Sequence, residues 1–173
     1  HDGNCAVFLT EYDGLTIYPG GIAIDSQDRI YISDVNYGRI LVCNSDGNCS
    51  SFGSFGTEVG EFNSPYGLVI NSRDQVLIAD AGNLRIQACD HLGNCEFVGY
   101  DNTHFYFYGG YYTQGIALLP SDTMITTGYG YAHVNACTPG GACRLVVKYE
   151  YYNANYLNSP AAIIVNDNDR LVI

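Results

Sequence analysis

One unit of 46 residues recurs along this chain and constrains everything it can fold into. The clearest copy, EFNSPYGLVINSRDQVLIADAGNLRIQACDHLGNC, runs from Glu61 to Cys95. The copy before it, IYPGGIAIDSQDRIYISDVNYGRILVCNSDGNC, runs from Ile17 to Cys49. Gly21 and Gly67 are 46 residues apart, as are Asp34 and Asp80, Arg39 and Arg85, and Cys43 and Cys89. A worn third copy spans Gln114 to Cys143, and a fourth begins at Ser159. A unit of this size cannot bury its apolar face alone, so function belongs to the assembled array.

Within the second copy, two apolar runs, Gly67 to Ile70 and Gln75 to Ala79, flank the polar turn Asn71–Asp74. A third run, Leu84 to Cys89, leads through a turn containing Gly93 to a fourth, Cys95 to Val98. Short runs rich in Val, Ile, Leu and Tyr, bounded by Asn, Asp, Ser and Gly, read as strands. No sustained 3.6-residue period marks a helix. Four antiparallel strands in roughly 45 residues make a β-propeller blade, so the chain is read as all-β, with about four blade repeats. Residues 1–14 read as the outer strand of a blade whose start is missing, and 15–60 as a blade. Residues 61–112 read as a second blade with a Tyr-rich insertion at its end, 113–158 as a degenerate one, and 159–173 as half of a further one. The expected propeller is therefore incomplete at both ends.

The wording of the repeat resembles the NHL family of propellers. The residues that carry this are Asn63-Ser64-Pro65-Tyr66-Gly67, Ala79-Asp80 and Asn83-Leu84-Arg85-Ile86, echoed by Pro19, Gly21, Ser33-Asp34 and Gly38-Arg39-Ile40. Gly21, Gly67 and Gly115 are expected to open the innermost strands, where blades crowd together. Asp34 with Arg39, and Asp80 with Arg85, are expected to form structural ion pairs bracing the loop between second and third strands. In the third copy Thr127 is read as replacing the Asp and His133 the Arg, so that pair is lost.

Cys43 and Cys49, Cys89 and Cys95, and Cys137 and Cys143 each enclose five residues at the turn between third and fourth strands. Cysteines facing each other across a hairpin can meet disulfide geometry, whereas zinc sites favour tighter pairs that converge with other ligands. Cys5 belongs to the same motif and has no partner in this segment. Such cysteine usage points to a secreted protein in an oxidising, extracellular compartment. Asn48-Cys49-Ser50 is a sequon, which makes Asn48 a candidate N-glycosylation site.

The formal charge of −11, with 7 Lys and Arg in 173 residues, speaks against nucleic acid and anionic membranes as partners. Nor is there a run long and apolar enough for membrane insertion. Sixteen tyrosines stand beside no tryptophan. They concentrate in Asp101–Gln114, with Tyr106, Tyr108, Tyr111 and Tyr112, and in Lys148–Pro160, with Tyr149, Tyr151, Tyr152 and Tyr156. Both segments join a fourth strand to the next first strand, opposite the disulfide hairpins. Tyr combines apolar area with a hydroxyl and few rotatable bonds, which suits a binding face as well as inter-blade packing.

Some NHL-like propellers are enzymes that gather metal-bound His residues around the axis. Here His1, His91, His104 and His133 are scattered, and no nucleophile motif is present. No catalytic residue, metal or cofactor is assigned. Asp25–Asp28 and Asn166–Asp169 read as hairpin turns, without the ordered spacing of a calcium loop. The expected function is an extracellular scaffold or adhesion propeller that contacts proteins, glycans or other copies of itself, as one unit of an array or filament. The alternative is a fragment of a secreted propeller lyase or hydrolase whose active site lies outside this segment. Ala6–Leu9 reads as a fourth strand and Ile163–Ile173 as a first and second, so a strand from outside is expected to fill the gap between them. Mass spectrometry of a non-reduced digest should find each cysteine pair linked within its own hairpin; a linkage between blades would refute the pairing.

Overall fold

The computed structural model describes residues 7–98, 113–128, 133–138, 143–148, 164–165 and 171–172. After a short hairpin of β1 (Glu11–Tyr12) and β2 (Leu15–Thr16), three four-stranded antiparallel sheets follow in chain order. Blade I comprises β3 (Pro19–Ile24), β4 (Ile30–Asp34), β5 (Arg39–Cys43) and β6 (Cys49–Phe52). Blade II comprises β7 (Pro65–Ile70), β8 (Val76–Asp80), β9 (Arg85–Cys89) and β10 (Cys95–Phe97). Blade III comprises β11 (Thr113–Leu118), β12 (Met124–Gly128), β13 (His133–Cys137) and β14 (Cys143–Lys148). A two-stranded hairpin of β15 (Ile164–Val165) and β16 (Leu171–Val172) comes last. The only helix among the described residues is one 3₁₀ turn, Ala81–Asn83. The fold is thus all-β with a partial set of propeller blades. Val7–Leu9 form no strand, and Ala6 lies outside the described residues, as does Ile163.

Register ties each turn to its strands. Asp34 faces Arg39 across β4 and β5, and Asp80 faces Arg85 across β8 and β9. In blade III, Thr127 pairs with Val134, the place held by Ser33–Ile40 and Ala79–Ile86. Gly128, opposite Thr113, therefore stands where Asp34 and Asp80 stand opposite Pro19 and Pro65. This corrects the assignment of Thr127 to the acidic position by one residue. The innermost strands also begin earlier than the glycines suggest, at Pro19, Pro65 and Thr113, and an irregularity in register follows each.

Alternation along the strands sends one face of each sheet toward the next blade. Leu68, Ile78 and Val76 of blade II pack with Tyr31, Ile40 and Val42 of blade I. Ile116 and Met124 of blade III pack with Leu77, Ile86 and Ala88 of blade II. The core is therefore a series of interfaces between sheets, each about one side chain deep. The innermost strands approach closely enough that side chains are excluded. A Cβ on Gly21 would lie 2.6 Å from the Tyr66 carbonyl oxygen, and one on Gly67 would press on the Gln114 carbonyl oxygen and sit 3.0 Å from Ile116 Cγ2. Gly67→Ala should cost about 1–3 kcal/mol, because main chain must shift to admit the methyl group. A denaturant titration with an unchanged slope and a lower midpoint checks this; an unchanged midpoint would refute the packing argument.

Candidate functional site

Antiparallel order gives the array two unlike ends. The loops within the β4–β5 and β8–β9 pairs, and the connection from blade I to blade II, lie at one end. The β3–β4 and β7–β8 turns share the other end with the disulfide hairpins.

At the first end, each Asp–Arg pair organises the chain around it. In blade I, Arg39 Nε donates to Asp34 Oδ2 at 3.0 Å, and Asp34 Oδ1 accepts the Tyr18 N–H at 3.2 Å. The Arg39 guanidinium stacks over the rings of Tyr12 and Tyr37, 5.1 and 4.9 Å from their centroids. Blade II is more elaborate. Asp80 Oδ1 accepts the Asn63 N–H at 2.7 Å, while Oδ2 accepts from Arg85 Nε (2.6 Å), Asn83 Nδ2 (2.9 Å) and Gln87 Nε2 (3.2 Å). The Arg85 guanidinium donates onward to the carbonyls of Thr57, Glu58 and Glu61, and Gln87 bonds Glu61 O and the Gly60 N–H. These groups fold the connection between blades I and II into a fixed shape, with Phe55 and Val59 left exposed on it.

Sequence reasoning missed Gln87 and the ring partners Tyr12 and Tyr37, and marked Asn63 and Asn83 as motif residues without their bonds to Asp80. Gln87 was detectable in principle, since a polar residue inside a strand buried on both faces demands a partner. The tyrosines proposed as a binding face, Tyr106, Tyr108, Tyr111, Tyr112, Tyr149, Tyr151, Tyr152 and Tyr156, lie outside the described residues, as does Cys5. Tyr18 and Tyr37 are exposed at this same end.

At the other end, Cys43–Cys49 and Cys89–Cys95 are bonded within their hairpins, with S–S distances of 1.99 and 2.07 Å. Cys137 is also disulfide-bonded, and the register sets Cys143 opposite it. Asn44 and Asp90 brace the first two hairpins by accepting two backbone N–H bonds each, from Asp46 and Asn48 and from Leu92 and Asn94. Asn48 is exposed there. In the blade I turn, Asp25 accepts from the Gln27 and Arg29 N–H groups, Arg29 Nε and Tyr31 Oη. Burial opposes its charge, but the bonds from Arg29, Gln27 and Tyr31 prevail and hold its carboxyl below the ordinary value. Its stabilising contribution is therefore complete above the ordinary carboxylate range and is lost as pH falls through the lowered value. Burial and the same Asp25 bond push the Tyr31 phenol up to about 12. Among the described residues, no three His, Cys, Asp or Glu side chains converge to hold a metal.

Asp80→Asn should destabilise the fold by about 3–5 kcal/mol, because it leaves Arg85 buried without its counter-charge. Asp34→Asn should cost less, since Arg39 is more exposed and keeps its two ring contacts. Equal losses in paired thermal melts would refute this ranking.

Comparison with known proteins places these features. The NHL repeat model matches residues 62–89. No curated protein matches the chain. Among solved structures, virginiamycin B lyase from Staphylococcus aureus superposes with a TM-score of 0.64 at 15% identity, over 87% of this chain and 46% of that one. A chain of a nidogen/laminin complex superposes with a TM-score of 0.65 at 14% identity, over 87% and 53%. A gluconolactonase from Xanthomonas campestris superposes with a TM-score of 0.63 at 12% identity, over 90% and 69%. The segment thus spans about half the length of the first two. With the sheet order and the repeat register, these likenesses establish that the chain carries an NHL repeat within a β-propeller fold.

Proposed function

We propose that this segment acts outside the cell as a non-catalytic scaffold or adhesion propeller, with the end that carries the inter-blade connections as its contact surface. The observation that carries this reading is the internal saturation of the repeated charged groups. Asp80 accepts four hydrogen bonds, and Arg85 donates to Asp80 and three backbone carbonyls. Groups held this firmly shape a loop and do not act on a substrate. The same bonds present the connection around Phe55, and Tyr18 and Tyr37 are exposed at the same end. The hairpin disulfides favour an oxidising, extracellular setting. The superposition on a chain of a nidogen/laminin complex supports a protein partner. The partner class is a protein, another copy of the chain, or a glycan.

The likeness to a lyase and a gluconolactonase favours a second reading, a fragment of a secreted enzyme whose active site uses residues beyond this segment. Binding to arrays of extracellular-matrix proteins and glycans distinguishes the two. Replacing Tyr106, Tyr108, Tyr111 and Tyr112 with Ser should weaken binding about tenfold or more, consistent with aromatic anchors, without shifting the melting transition. Binding indifferent to those replacements, or turnover of gluconolactone or virginiamycin B by the 173-residue chain, would overturn the scaffold reading.

A further inference from the structure

The two seams between blades I, II and III are fastened alike at the disulfide end. Ser26, second in the blade I turn, donates its N–H to Asp74 Oδ1 at 3.2 Å and its hydroxyl to Asp74 Oδ2. Ser72, in the matching place of blade II, donates its N–H to Asp122 Oδ1 at 3.1 Å and its hydroxyl to Asp122 Oδ2. Each acceptor is fourth in its own turn. Asp28, Asp74 and Asp122 share this place and a left-handed backbone, with φ of 59°, 59° and 55°. Each also closes its turn by donating an N–H, to the carbonyls of Asp25, Asn71 and Leu119 respectively. Asp74 and Asp122 each meet a serine from the blade before. Among the described residues, the Asp28 carboxylate meets none.

The apolar half of the seam repeats in the same way. Leu68 and Ile116, in matching places on β7 and β11, are each 7% exposed because they reach into the preceding blade. Ile22, in the same place on β3, is 64% exposed, and Ile24 beside it is 58% exposed. Leu9, Tyr12 and Ile17 cover Ile32 and Leu41 farther out on this face, but leave Ile22 and Ile24 open.

We propose that the face formed by Ile22, Ile24 and Asp28 docks a further blade of this repeat, from outside residues 1–173, whose first turn carries a serine in second place. Continuity with the two existing seams dictates the occupant. An apolar sheet face must receive Ile22 and Ile24, and a hydroxyl with its adjacent N–H must reach Asp28. The later turns of this chain lack that donor. In blade III the place is held by Pro120, which has neither N–H nor hydroxyl. In the fourth repeat it is held by Asp167, which would set one carboxylate against another. Head-to-tail stacking of identical segments would therefore leave Asp28 unfastened. This inference stands independently of the scaffold reading.

The test compares the chain as it is with one carrying a duplicate of residues 15–60 ahead of His1, in versions that keep the duplicate's Ser26 or replace it with Pro. In the unlengthened chain, Asp74→Asn should lower the melting temperature by about 2–4 °C while Asp28→Asn leaves it unchanged. In the lengthened chain with serine, Asp28→Asn should become as costly as Asp74→Asn, and amide exchange over residues 22–28 should slow about tenfold. The proline version should lose the added cost of Asp28→Asn. Three results would each overturn the proposal: equal costs of the two Asp replacements in the unlengthened chain, equal protection by the serine and proline versions, or self-association of the unlengthened chain that protects residues 22–28. Should the lengthened chain fail to fold, the paired melts of the unlengthened chain still decide whether Asp28 is unengaged.

Discussion

Close approach of main chain at the innermost strands is the constraint from which the other contacts follow. The Tyr66 carbonyl oxygen lies where it would crowd any side chain at position 21, and Gln114 does the same at position 67. With glycine there, neighbouring sheets come near enough for Leu68 and Ile116 to insert into the blade before. Ser33 exploits the same gap, accepting the Gly21 N–H at 2.8 Å and donating to the Tyr66 carbonyl at 2.7 Å. One hydroxyl thus satisfies backbone groups of two blades that side-chain bulk would otherwise have kept apart.

Polar fastenings then differ in kind between the two ends. At the connection end, Asp80 and Arg85 are almost wholly buried, where desolvation offsets much of the attraction between them. Their consequence is shape: the hydrogen bonds left over are satisfied only if residues 57–61 adopt one path around the guanidinium. At the disulfide end, the Ser–Asp contacts are exposed, so each is screened and weak. They fix which turn lies beside which, while the apolar faces supply most of the adhesion.

The sequence made legible what is local. Strand runs, hairpin turns and cysteine pairs all depend on residues within a few positions of one another, and the repeat multiplied each signal. Contacts between repeats leave no local mark. Ser26 and Asp74 are 48 residues apart, and nothing in either turn marks it as half of a pair. Gln87 lies in a strand buried on both faces, and only that burial marks it as a residue that needs partners. Gly128, not Thr127, holds the aspartate position of blade III; it has no side chain to mark that place, and only the pairing with Thr113 identifies it. Leu84 adopts the left-handed conformation held by Gly38 in blade I, which no residue preference would have suggested.

These losses accumulate along the chain. Blade I holds Ser33, Asp34 and Arg39 where blade III has Thr127, Gly128 and His133, so the Asp–Arg bond has no counterpart there. Tyr31 and Val42, large groups of the first seam, give way to Ile125 and Ala136 on the matching face of blade III. Among the described residues, the buried hydroxyls of Thr113, Thr126 and Thr127 meet no partner. Each costs about 1–3 kcal/mol unless a buried water reaches it. Pro120 removes the turn donor as well. In a stack where each unit touches only its neighbours, stability is set seam by seam. Of the two seams between described blades, the one between blades I and II has the fuller apolar contact and both polar fastenings, and is therefore the firmer.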